Sequence, residues 1–207
     1  MQDRVSREQS MKSHSIRAIT GTVLLLGLIF ARTALAQERG PSTPEERARA
    51  VKVSHELEED PLFKDAKDER AWVLDWIEKI PDITVNVCFE FFGKMPNPPR
   101  GHSREIIMQM IISSAAFMIE HPDKVKDEQA IALAGLLGSL KAYEAILKQD
   151  PASRWPYMDK LILMREQNLL DDYVGEMRRK CAHEDDDQDP NTIHARLAAP
   201  PAWNSFR

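Results

Sequence analysis

The sequence predicts an all-α protein: one compact bundle of about five to seven helices, preceded by an export leader and followed by a disordered tail. Three observations carry this. Apolar residues recur at helical spacing in nearly every segment between residues 44 and 182. Helix start signals, Thr-Pro and Asp-Pro, open the first two of those segments. No second segment reads as a strand that could pair with the single alternating stretch at residues 83–91.

The leader comes first. Arg4, Arg7, Lys12 and Arg17 precede the apolar run TVLLLGLIFA and then Ala34–Ala36. A basic region, a short apolar core and small residues describe a secretory signal peptide over 1–36, cut after Ala36. The apolar core is about half the ~20 residues that a bilayer span needs, so a permanent anchor is not expected. Met11 serves as a start site equally well, since Lys12 and Arg17 still supply the charge.

The whole chain carries 28 Lys/Arg against 33 Asp/Glu, a formal net charge of −5, and removal of the basic leader makes the remainder more acidic. That balance disfavours nucleic acid, whose backbone needs a basic stripe, and anionic lipid. No nucleic-acid partner and no membrane insertion after cleavage are expected.

Residues 37–43 read as a flexible arm. At Thr43 a helix opens with a capping box: Thr43, Pro44 and Glu46 in order, with Ala50, Val53 and Leu57 as a thin apolar stripe on an outer helix. A second helix follows from the Asp60–Pro61 start. It places Trp72, Val73, Trp76, Ile77 and Ile80 on one face before Pro81 stops it.

The stretch ITVNVCFEFFG, residues 83–93, alternates apolar and polar residues. Lacking a partner strand, it is expected to be a helix capped by Asp82 and ended by Gly93, with Cys88 in its middle. The loop GKMPNPPRGHS follows.

Between Ile106 and Ile119 only Gln109, Ser113 and Ser114 are polar, which marks the buried central helix. The next helix, from Asp127, carries a leucine stripe and a row of small residues at Ala134, Gly138 and Ala142. Each helical glycine costs about 1 kcal/mol against alanine, and close backbone approach offsets that. The small cluster Ser113–Ala116 at the middle of the preceding helix is the expected contact. AYEAILKQDPAS resembles the end of a tetratricopeptide helix pair at Tyr143 and Pro151. The repeat's tryptophan, leucine, glycine and tyrosine positions are missing before it, and no second copy follows.

Two further amphipathic segments run from Trp155 to Cys181, the last with Asn168 and Asp171 as caps. Residues 183–207, acidic and then Pro/Ala-rich, read as disordered. One helical domain over 44–182 results. Its two cysteines, Cys88 and Cys181, are expected to form a disulfide in an oxidising compartment.

Signals for chemistry are sparse. No nucleophile elbow, P-loop or dinucleotide fingerprint occurs. HELEE at His55 lacks the second histidine of a zinc helix, and HEDDD at His183–Asp187 lacks a calcium loop's glycine and spacing. No cofactor and no metal are expected. The functional expectation is a non-catalytic exported protein that binds an envelope or secreted protein partner, or a small apolar ligand. The candidate patch is Phe91, Phe92, Met95, Arg100 and His102, where aromatic, methionine and arginine side chains meet a proline-rich loop. The alternative is a small exported hydrolase in which His55, His102 or His121 meets an acid only in the fold.

Overall fold

The structure is a computed structural model and describes residues 39–86, 88–93 and 101–186, with side chains described through Ala182. The leader, the loop core at 94–100 and the tail from 187 lie outside the described residues, and so does the proposed cleavage after Ala36. The described residues from Gly40 onward belong to one unit.

Six α-helices build it, with no strand among the described residues: α1 Pro44–Glu59, α2 Ala66–Lys79, α3 Ser103–Glu120, α4 Glu128–Gln149, α5 Pro156–Glu166 and α6 Leu170–Asp186. Short 3-10 turns occupy Phe89–Phe92, Pro122–Lys124 and Pro151–Ser153. The capping box forms as the sequence requires. Glu46 N–H donates to Thr43 Oγ1 at 3.2 Å, and Thr43 N–H donates to Glu46 Oε2 at 2.9 Å. The second helix starts later than expected, at Ala66. Residues 60–65 form turns, and the buried Arg70 guanidinium holds them by donating to Pro61 O at 2.8 Å.

α3 is apolar on nearly every side because it serves two cores. Ile106 and Met110 pack with α4, α5 and α6, while Ile112 and Ala115 pack with α1 and α2. The predicted meeting of small residues is present. A side chain at Gly138 would run into Ser113 of α3 and would lie 2.7 Å from Glu58 Oε1. One at Gly135 would meet Ser114 and lie 2.7 Å from the Met110 carbonyl. α4 has 22 residues and is apolar enough to cross a membrane by length and composition alone. Here it is a core helix, with Leu136, Leu140, Tyr143 and Ile146 fully buried.

Four expectations need correction. The stretch 83–92 is not one helix: residues 83–86 are irregular, and only Phe89–Phe92 form a helical turn. Ile83 is buried, Thr84 and Asn86 are exposed and Val85 is half-buried. An unpaired extended segment has the same two-residue period as a strand. Cys88 therefore precedes a 3-10 turn instead of sitting mid-helix. Gly93 does end the turn, with φ +57°.

Asp82 caps no helix. Burial opposes its ionisation, but Ser42, through its hydroxyl and amide, and Arg47 outweigh that and hold its carboxyl down at about 2. Ser42, placed in the flexible arm by sequence, is thus tied to the end of α2.

Asn168 is the C-terminal stop of α5, not the cap of α6. It takes φ +58°, and Leu169 N–H donates to Met164 O at 2.8 Å, a Schellman closure that asparagine tolerates. The helix expected to end near residue 182 continues to Asp186.

The Cys88–Cys181 disulfide is present, with Cα atoms 6.2 Å apart and 93 positions between them in sequence. It ties the 83–93 segment to α6 and fits an oxidising compartment.

Candidate functional site

A groove of about 570 Å³ lies where the last turns of α1 meet the second half of α4. His55, Glu58 and Glu59 line one wall, and Lys141, Glu144, Ala145 and Lys148 the other. Behind it runs a polar seam. α1 presents Ser54 and Glu58 one turn apart, and α3 presents Gln109 and Ser113 one turn apart. Gln109 Nε2 donates to Ser54 O at 3.2 Å and to Ser113 Oγ at 3.0 Å. Ser113 Oγ donates to Glu58 Oε1 at 2.7 Å, and Lys141 Nζ donates to Glu58 Oε2 at 2.8 Å.

Glu58 is 7% exposed, and these two donors take the place of water around its carboxylate. His55 stands at the mouth. Its Nε2 lies 3.0 Å from Glu120 Oε1 at the end of α3, and its Nδ1 lies 3.7 Å from Glu58 Oε2. The hydrogen bond to Glu120 raises the imidazole pKa above 6.5; partial burial opposes this and both carboxylates add to it. On the far wall, Arg165 of α5 donates to both Glu144 oxygens, at 2.6 and 2.8 Å, and holds that carboxyl below its ordinary range.

The chemistry of this set is limited by its order. An activated serine needs an imidazole against its hydroxyl, with the carboxylate behind the imidazole. Here the carboxylate touches the hydroxyl of Ser113, which is 4% exposed, and both ring nitrogens of His55 face carboxylates. Nε2 is hydrogen-bonded to Glu120, and Nδ1 faces Glu58 at 3.7 Å and not a hydroxyl. Among the described residues, no group of three His, Cys, Asp or Glu is arranged to hold a metal.

The predicted binding patch divides. Phe91 and Phe92, at 1% and 0% exposure, belong to the core, and Phe92 stacks on Trp155 with ring centroids 6.0 Å apart. Their placement on a binding surface is withdrawn: two adjacent aromatics beside a loop satisfy a core and a patch equally in sequence. Met95 and Arg100 lie outside the described residues. His102 is half-buried at the start of α3, 3.7 Å from Glu105 and 3.8 Å from Asp150. His121 caps the other end of α3 and packs on Phe117.

Both bases of the loop rest on one segment. A side chain at Gly93, φ +57°, would strike the Tyr157 ring, and one at Gly101, φ +52°, would lie 2.9 Å from Ser153 Cα. The turn at Phe89–Phe92 is held further by Tyr173, whose hydroxyl donates to Phe91 O at 2.8 Å and lies 2.9 Å from Tyr157 Oη. Burial raises the Tyr173 pKa and keeps it a donor. Phe89, just outside this clamp, is 52% exposed.

Sequence reasoning missed Glu58 as a buried charge. The available signal was paired: polar residues four apart on an otherwise apolar α3, facing polar residues four apart on α1. A second groove of about 500 Å³ is lined by Gln129 of α4, Met164, Leu169 and the α6 residues Asp172, Tyr173, Gly175, Glu176 and Arg179. Comparison of the chain with protein-family models, with characterised proteins and with solved structures returns no match.

Proposed function

We propose that the chain is an exported, non-catalytic helical protein that binds a protein partner of the envelope or the secreted fraction through the loop between Gly93 and His102. The observation that carries this is the mounting of the loop. Its two ends are positive-φ glycines packed on the same Ser153–Tyr157 segment, with the core aromatics Phe91, Phe92 and Trp155 behind it. Binding loops work from rigid bases, because less ordering entropy is lost on association. Met95, Arg100 and His102 remain the proposed contact residues, and Phe89 is exposed before the loop's first base.

Export through residues 1–36 is the matching compartment, and the disulfide supports it. The hydrolase reading draws on the contact of His55 with Glu120. It is the weaker reading because the buried Ser113 hydroxyl of the adjoining seam is bonded to Glu58 and not to His55.

Affinity capture from the envelope and secreted fractions tests the proposal, using the oxidised chain and a Met95→Ser, Arg100→Ser variant. A partner retained by wild type and lost by the variant is expected. Recovery of the same set by both sinks the loop as the binding element. A turnover of ester, peptide or glycoside substrates that disappears in His55→Ala would install the hydrolase instead.

A further inference from the structure

We propose that His55 is a pH-dependent clasp that fastens the second half of α1 over the polar seam when protonated and loosens it when neutral. The geometry is that of one imidazole between two carboxylates on different helices: Glu120, at the end of α3, at 3.0 Å and Glu58, on α1 itself, at 3.7 Å. An imidazolium offers a proton to both sides, whereas a neutral ring keeps one N–H and serves one carboxylate.

The element being clasped is poised to move. α1 covers a seam that buries Glu58, Ser54, Gln109 and Ser113. Within it Ser54 Oγ and Gln109 Oε1 have no hydrogen-bond partner among the described residues. Undocking α1 restores water to these groups, so lifting it loses less than lifting an apolar helix. Ser42 and Arg47 tie its start to Asp82, while Arg70 and Gln149 hold Pro61 and Asp60 just past its end, so His55 acts on the stretch of α1 between these ties.

The charges facing His55 set the sign. Glu120 and Glu58 favour the imidazolium, and Lys141 opposes it; Glu59 lines the same groove. Across the groove Glu144 is neutralised by Arg165, and Lys148 lies beyond it. On the other side His121 caps α3 next to Glu120, with its ring against Phe117. A folded-state pKa raised above the unfolded one means the clasp is complete below the unfolded pKa of 6.5 and is lost as pH rises through the folded value.

Hydrogen exchange on the full oxidised chain tests this, with rates corrected for the intrinsic pH dependence of exchange. Protection of α1 amides 53–58, relative to α2 amides, is expected to fall about two- to fivefold between pH 6 and 8.5, the range of one partly exposed ion pair. The fall is expected to vanish in His55→Gln and to shrink in Glu120→Gln. An NMR titration of the wild-type His55 ring supplies a reading that needs no variant, with a midpoint above 6.5 expected. The same pH response in His55→Gln, or a midpoint at or below 6.5, overturns the clasp.

Discussion

Ser113 of α3 donates its hydroxyl to the carboxylate of Glu58 on α1 at 2.7 Å, although the two stand 55 positions apart in sequence and both are buried. This bond fixes the α1–α3 seam, because a buried carboxylate that loses a donor keeps its desolvation penalty. Ser113→Ala is expected to lower stability by about 1–3 kcal/mol. Glu58→Gln, which keeps an acceptor oxygen, should be milder than Glu58→Ala. Urea unfolding followed by far-UV circular dichroism measures the order.

The helical glycines separate into two kinds. Gly135 and Gly138 lie against backbone or buried side chains of α3 and α1, whereas Gly175 has the flexible end of Gln129 nearest, at 3.2 Å. Alanine is the better helix former by about 1 kcal/mol at all three. Gly138→Ala and Gly135→Ala are nevertheless expected to destabilise by about 1–3 kcal/mol through overpacking. Gly175→Ala should be neutral or stabilising. Thermal melts of the three variants read this directly.

The disulfide closes a long loop around most of the bundle. Replacing both Cys88 and Cys181 with serine should cost about 4–5 kcal/mol on the chain-entropy account for a loop of this length. The loss should be felt first at Phe89–Phe92, which the bridge holds against α6. Non-reducing peptide mapping that found free thiols at both positions would remove the bridge and this prediction together.

Acid should weaken the junction between the arm and α2. The Asp82 carboxyl is held at about 2, below its ordinary 3.8. A depressed carboxylate contributes stability that is present above the unfolded pKa and is lost as pH falls through the folded one. Between pH 4 and 2 the melting temperature of wild type should therefore fall more steeply than that of Asp82→Asn. The difference should be small, since the Ser42, Arg47 and Asp82 cluster is solvent-exposed and screened.

Much of the architecture was legible because it is written in local terms. The capping box at Thr43, the amphipathic faces of α2 and α6, and the apolar girth of α3 each follow from residues within a few turns of one another. The small-residue rows of α3 and α4 were legible for a related reason. A short link makes the helices antiparallel neighbours, and close packing admits only small side chains at the crossing. Residues 83–92 are not legible in this way, because alternating burial fits an unpaired irregular segment as well as a strand, and Asp82 and Gly93 suit the ends of a helix without requiring one between them.

By itself the sequence determined an all-helical chain, its capped starts, the central apolar helix, and a pairing forced by having only two cysteines. Those features depend on periodicity, backbone preference and counting. Only the tertiary structure decided that Glu58 is a buried charge held by Ser113 and Lys141, that His55 meets Glu120, and that Phe91 and Phe92 point into the core. Contacts between residues 55 to 83 positions apart depend on how the helices cross. A side chain's partner is chosen by that crossing, which no local pattern encodes.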